Sequence, residues 1–179
     1  MLSTYVFKRS LSSILRLLLL VKLILLLEGL ALGQSTEPAK VTGYVGVLHP
    51  IVSFSEGQVT PNFKTYYQVG FPMGLNLWKS EKVGFSAEFV PFIRAESGGS
   101  RMSNFLFHPG ALLRFPKGYV MALRAAFETS GRYGFTPVLS KTVIKKEHHG
   151  YFVAVPLALR FGNSHGAAFT PGFQFGINF

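Results

Sequence analysis

The sequence predicts an all-β protein: an eight-stranded antiparallel transmembrane β-barrel, an up-and-down meander, behind a cleavable signal peptide. Three observations predict it. Apolar side chains recur at every second position in one segment after another, and the positions between them are rich in glycine, alanine, serine and threonine. The amino terminus joins basic residues to a leucine run that ends in small residues. Glycine (19 residues) and aromatics (15%) are high together in a chain that is 48% apolar, which suits strands and turns better than helices.

Composition also excludes. The 8 acidic residues are all glutamate, and cysteine is absent. There is then no disulfide framework, thiolate metal site, cysteine nucleophile or lipoprotein anchor. Without aspartate, neither a Ser-His-Asp triad nor an EF-hand loop can be assembled. The 18 Lys and Arg residues leave a net charge of +10, but 18 phenylalanines argue against a disordered basic tail.

The chain opens with Lys8, Arg9 and Arg16 ahead of an apolar run from 17 to 27, broken only by Lys22 and followed by Ala31-Leu32-Gly33 and Gln34. A basic start, a leucine core and small residues before the cut make a secretory signal peptide. A permanent spanning helix wants about 20 apolar residues, and here Arg16, Lys22 and Glu28 punctuate the run. The expected division is residues 1–33 as signal peptide and 34–179 as one exported barrel domain.

Within that domain the strands are justified in order. Residues 42–52 alternate weakly around Tyr44, Gly46 and Leu48. In 66–78, Tyr67, Val69, Phe71, Met73, Leu75 and Leu77 share one parity, against Gln68, Gly70, Gly74 and Asn76. Residues 83–95 set Val83, Phe85, Ala87, Phe89 and Ile93 against Gly84, Ser86, Glu88 and Arg94. Residues 104–115 set Phe105, Phe107, Ala111, Leu113 and Phe115 against Asn104, His108, Gly110 and Arg114. In 119–128, Tyr119, Met121, Leu123, Ala125 and Phe127 oppose Arg124 and Glu128. Residues 135–144 alternate with Lys141 on the outward parity, where a charge near a strand end costs only about 0–1 kcal/mol. A bulge near Pro137 would turn that lysine inward. Residues 151–162 set Tyr151, Val153, Val155, Leu157, Leu159 and Phe161 against Ala154, Ala158 and Arg160, and 169–179 set Phe169, Phe173, Phe175, Ile177 and Phe179 against Gly172, Gln174, Gly176 and Asn178.

A soluble sandwich would turn the apolar parity inward and show water a charged face. A membrane barrel turns it to lipid and fills a narrow interior with the other parity. Small residues opposite large aromatics, with tyrosines and Trp78 near strand ends as an interfacial girdle, favour the barrel. The carboxy terminus Phe173-Gln174-Phe175-Gly176-Ile177-Asn178-Phe179 resembles the sorting signal of Gram-negative outer-membrane barrels, with Phe173, Phe175, Ile177 and Phe179 at the alternate positions. The domain as a whole resembles a small barrel of the OmpA/OmpX type without a periplasmic domain. That resemblance implies an outer-membrane location, a last strand read by the barrel-insertion machinery, and no tether to the cell wall.

Extracellular loops are then expected at 53–65, 96–103, 129–133 and 163–166, and periplasmic turns at 79–82, 116–118 and 145–150. Pro50, Pro72, Pro91, Pro109, Pro137, Pro156 and Pro171 fall inside strands, all but 119–128 holding one. Proline removes a ladder donor, so the prolines mark either a ring of bulges at one height or the levels at which the strands fray.

The expected lumen charges are Glu88, Arg94, Arg114, Arg124, Glu128 and Arg160. Such groups cross-pair to fill a narrow barrel, since an unpaired buried charge is costly, and Arg124 with Glu88 is the expected plug pair. The other reading is a selectivity lining, anion-preferring with four Arg against two Glu. His148 and His149 fall on the opposite side from His165, so no metal or acid–base site is expected, and no cofactor. Ser164-His165 is the nearest approach to a catalytic rim, and Glu56, Glu96 and Glu128 lack a diagnostic spacing to it. Lys64, Arg101 and Arg132 would face lipopolysaccharide phosphates. An exported monomer facing lipid would meet no nucleic acid. The expected role is non-catalytic, in envelope structure or surface interaction; a small passive channel or solute conduit is the alternative, and a lipid-modifying enzyme the third reading.

Overall fold

The computed structural model describes residues 39–162 and 165–179 of the chain, without the side chain of His165. The signal-peptide expectation over 1–33 lies outside the described residues, as do Asn163 and Ser164. The described residues form antiparallel strands and one 3-10 turn, with no α-helix among them. The strands are β1 (Lys40–Pro50), β2 (Val52–Ser55), β3 (Gln58–Pro61), β4 (Tyr67–Gly70), β5 (Met73–Trp78), β6 (Val83–Glu96), β7 (Gly99–Arg114), β8 (Tyr119–Glu128), β9 (Tyr133–Lys145), β10 (Gly150–Gly162) and β11 (His165–Asn178).

They make one 11-stranded sheet. From β6 to β11 each strand pairs with the next, and β11 then pairs with β1 from Tyr44↔Asn178 to Pro50↔Gly172. This last pairing closes the sheet on itself and leaves the main ladder without an edge. β4 and β5 follow one path between β1 and β6: Leu48↔Gly70 and Val45↔Met73 keep one register, and the break between them falls at Phe71-Pro72. β2 and β3 form a hairpin in the expected first loop, leaning on β11 through Phe54↔Phe169. Its two-residue turn, Glu56-Gly57, has φ of 51° and 73°, the doubly positive conformation that matches strand twist.

The expected turns at 79–82 and 116–118 fall between strands, the second as the 3-10 turn Pro116–Gly118. The expected loop at 96–103 is a correction. β6 and β7 run on to Glu96↔Gly99 and meet at a two-residue turn, Ser97-Gly98.

Side chains alternate between two environments along most of the wall strands. On one parity Leu75 and Phe135 are 62% exposed and Leu123 and Phe127 53%. On the other, Val90, Leu106, Leu112, Ala126 and Val138 are buried. The inward parity is therefore more apolar than the sequence reading held. Tyr44, Trp78, Leu112, Ala122, Val138, Phe152 and Ala154 form one internal cluster, and Val90, Phe92, Leu106 and Ala126 another. Lys141 stays outward, its ammonium 4.8 Å from the centre of the Tyr119 ring. The neighbouring irregularity lies between Tyr151 and Phe152 and not at Pro137.

The prolines do not form one ring of bulges or frayed ends: β1 ends at Pro50 and the β4–β5 path breaks at Pro72, but the other strands run through theirs. Register is the same on both sides of Pro109, Pro137 and Pro156, and Pro91↔Phe105 sits inside an unbroken run. Register shifts occur elsewhere, at Phe92/Ile93, Tyr151/Phe152 and Arg160/Gly162. Each proline removes one donor and leaves its neighbours paired; Gly46 N–H still donates to Pro72 O at 2.9 Å, and Phe71 N–H to Pro91 O at 3.0 Å. Amide exchange should therefore show protected residues on both sides of every strand proline. Fast exchange of whole strand ends beyond the prolines would contradict this register.

Candidate functional site

Closing the sheet brings inward residues from distant strands to one point. Glu88 on β6 faces His108 across the β6–β7 ladder, and Gly110 faces Arg124 across β7–β8. The Glu88 carboxylate takes three donors: Tyr44 Oη at 2.6 Å on Oε2, and on Oε1 His108 Nδ1 at 2.9 Å and Arg124 Nη1 at 3.4 Å. Arg124 also donates from Nη2 to Tyr44 Oη at 3.0 Å and Ser86 Oγ at 3.3 Å. Since a carboxylate only accepts, His108 carries its proton on Nδ1. Its Nε2 lies 2.8 Å from Thr136 Oγ1, accepting from that hydroxyl in the neutral imidazole, and the same oxygen accepts from Arg160 Nη1 at 2.9 Å.

The chain of contacts continues toward the β6–β7 turn. Arg160 Nε donates to Glu128 Oε1 at 2.6 Å, and Glu128 Oε2 receives Asn104 Nδ2 at 2.6 Å and Ser130 Oγ at 2.9 Å. One polar network thus ties β1, β6, β7, β8, β9 and β10 across the interior. Its central members Glu88, His108, Arg124, Thr136 and Arg160 are all buried. Tyr44 belongs both to the network and to the first apolar cluster, and burial away from bulk water strengthens the contacts around Glu88.

Two inward glycines make room for it. A Cβ on Gly74 would lie 2.5 Å from the Tyr44 ring, and one on Gly110 would lie 2.7 Å from the Cα and Cγ of Arg124. Larger residues would push both donors off the carboxylate.

The six residues expected as lumen charges divide. Glu88 with Arg124 and Glu128 with Arg160 form two buried pairs in the network. Arg94 is half-buried near the β6–β7 turn, stacked 4.1 Å over the Tyr66 ring and donating to Gln68 Oε1 at 3.2 Å. Arg114 is exposed at the opposite mouth, 3.8 Å over Trp78 and donating to Glu81 O at 3.4 Å. It lines the open mouth of the interior and not its buried centre, because β7 ends there. Phe173, Phe175 and Ile177, on the outward parity of β11, are exposed, as is Phe179 just beyond the strand.

The sequence reading missed His108, Tyr44 and Thr136. Alternation already sets His108 on the inward parity with Asn104 and Gly110, but His108 does not stand among the expected lumen groups, which are confined to Glu and Arg. His148 and His149 lie in the turn after β9, and the side chain of His165 is outside the described residues. No group of three or more metal-ligating side chains occurs among the described residues.

The network separates two cavities. One of about 390 Å³ opens toward the β6–β7 turn, lined by Arg94, Arg101, Glu128 and Arg132 above Glu88, His108 and Thr136. The other, about 540 Å³, opens toward the termini and is lined by Lys40, Trp78, Arg114, Arg124, Lys146 and Phe179.

No family model matches this chain, and no curated protein matches it. Among solved structures, it is similar to the solution NMR structure of the de novo designed TMB2.3, with a TM-score of 0.48 and 10% identity, covering 81% of this chain and 97% of that one.

Removing one member of a buried ion pair strands the other, at a cost of about 3–5 kcal/mol, whereas replacing both can be nearly neutral. Arg124→Met should therefore lower unfolding stability in detergent-supported urea titrations by about that amount, and Glu88→Gln combined with Arg124→Met by clearly less. Equal losses would show that Glu88 does not depend on Arg124. Gly74→Ala should cost about 1–3 kcal/mol by overpacking Tyr44, measured in the same titration; no loss would mean that Tyr44 has room to move.

Proposed function

We propose that the chain is a monomeric, eight-strand outer-membrane barrel with a closed lumen and a non-catalytic role in envelope structure or surface interaction. The observation that carries the proposal is the sorting of side chains by parity around a closed sheet. Large apolar groups are exposed outward on every wall, while Glu88, Arg124, Glu128 and Arg160 are paired inside. A water-soluble protein rarely exposes so large a contiguous apolar surface, whereas a bilayer demands it together with internal satisfaction of every backbone group. Counting β4 with β5 as one wall strand and setting aside the β2–β3 hairpin gives eight walls.

On this reading the apolar face meets lipid. Lys64, Arg101 and Arg132 lie at the lipopolysaccharide end, and the exposed Phe173, Phe175, Ile177 and Phe179 are what the insertion machinery reads. Two opposed cavities are what support the conduit alternative. Against it stands the layer between them, in which Glu88 joins Arg124 and His108, and His108 reaches Arg160 through Thr136, with Val138 and Gln174 buried on the walls of both cavities.

The run Thr136–His108–Glu88, a hydroxyl, an imidazole and a carboxylate at 2.8 and 2.9 Å, supports the enzyme reading in outline. Its hydroxyl, however, is only 2% exposed within Thr136 and accepts from Arg160. The Arg160 Nη1 nitrogen is already committed to Phe135 O and Leu159 O as well. A hydroxyl so buried and so committed offers no approach to an acyl substrate, which favours the non-catalytic reading.

Planar-bilayer recording of the folded protein, with insertion verified separately, tests the closed lumen. Silence across the physiological voltage range is the expected result. A steady, reproducible unitary current would transfer the assignment to the conduit.

A further inference from the structure

We propose that the 390 Å³ vestibule binds a phosphorylated sugar between Arg94, Arg101 and Arg132. The proposal rests on the barrel reading above and adds a ligand inside its outer mouth.

Arg94 and Arg101 are direct cross-strand partners on β6 and β7, and both line the vestibule. Like charges at opposed positions repel. The acid between them, Glu96, is 3.7 Å from Arg94 and 3.9 Å from Arg101, with its own side chain 40% exposed. Those distances are too long for hydrogen bonds, and the exposure screens the attraction. Arg132 enters the same cavity from the β8–β9 loop; its Nη2 donates to Gly166 O at 2.9 Å, and its Nε has no partner.

The carboxylates deeper in the wall offer these three no relief. Glu128 is held by Arg160, Asn104 and Ser130, and Glu88 by Arg124, Tyr44 and His108. The vestibule therefore keeps an excess of guanidinium charge, and an anion bridging Arg94 and Arg101 removes their repulsion while taking charge-assisted, forked hydrogen bonds.

The rest of the wall fits hydroxyls. Asn62 is buried and locked by reciprocal bonds of 2.8 Å to the backbone of Gln68. That fixes the wall beside Tyr66, one face of whose ring is covered by Arg94. Ser53, Thr60 and Gln68 add hydroxyl and amide groups to the lining, which suit the hydroxyls of a sugar, and the volume lies in the range of small-molecule sites. A phosphate on a sugar presents the same groups whether the sugar is free or heads a lipid.

The test uses the full mature chain folded in phosphate-free detergent micelles, with heat-modifiable electrophoretic mobility as the readout of the barrel itself. Glucose 6-phosphate should bind saturably by calorimetry and glucose should not. Arg94→Gln with Arg101→Gln should weaken binding at least tenfold, and Arg114→Gln at the other mouth should leave it unchanged. Without ligand, Arg101→Gln should be at least as stable as the wild type, and it should gain nothing from added glucose 6-phosphate. Vesicles carrying a lipid with a phosphorylated-sugar headgroup distinguish the sources: competition assigns the site to the headgroup, and its absence to the free sugar phosphate. A protein that keeps its heat-modifiable mobility yet binds neither, binds glucose equally, or loses affinity as much through Arg114→Gln overturns the proposal and leaves the barrel standing. Loss of that mobility in the wild type would instead overturn the barrel.

Discussion

Pairing between β1 and β11 determines how the other described strands use their two faces. Once Tyr44 to Pro50 lie against Asn178 to Gly172, the ladder has no edge, and each strand has an inner and an outer face. Proline within the strands is then tolerable, because a missing donor is flanked on both sides by intact pairs in a sheet that cannot peel from an end. In an open sheet the same residues would be confined to edges. Closure also decides the cost of charge: an inward Glu or Arg has no route to bulk water and must find its partner within the lumen.

Glu88 shows how that demand is met. Its oxygens draw donors from β1, β7 and β8, so one carboxylate fixes the relative positions of four strands. Such a layer contributes less net stability than its contact list suggests, since desolvation offsets much of the attraction. Its larger consequence is specificity. A slip of any of these strands by one residue would reverse its parity and put Glu88, His108 or Arg124 on the apolar face.

Much of this was legible in the sequence because period-two alternation states face directly, and because glycine and proline mark the turns. Tyr119–Glu128 has the bounds that alternation alone gives, and Pro116–Gly118 is a turn for the reason its residues suggest: Lys117 and Gly118 both take positive φ. The site was less legible. Beyond the Ser97-Gly98 turn, Arg94↔Arg101 and Ile93↔Met102 keep one register, and Ser103 is then the extra residue that makes Phe92 pair with Asn104. Without that bulge, Glu88 would oppose Phe107 in place of His108. A local irregularity of this kind, common beside functional sites, leaves no periodic trace. The apolar inward residues Val90, Phe92 and Leu106 were likewise hidden, since attention to the small and charged members of that parity passes over them.

The central claim is that the exposed apolar parity lies in hydrocarbon. Tryptophan quenching by lipids brominated on their acyl chains tests it most directly, in vesicles, with Leu123→Trp placed in a Trp78→Phe background. The account predicts strong quenching at position 123, where the side chain is 53% exposed and outward, and little for the native Trp78, which is 6% exposed and inward. Quenching at position 123 by aqueous acrylamide and not by brominated lipid would contradict it.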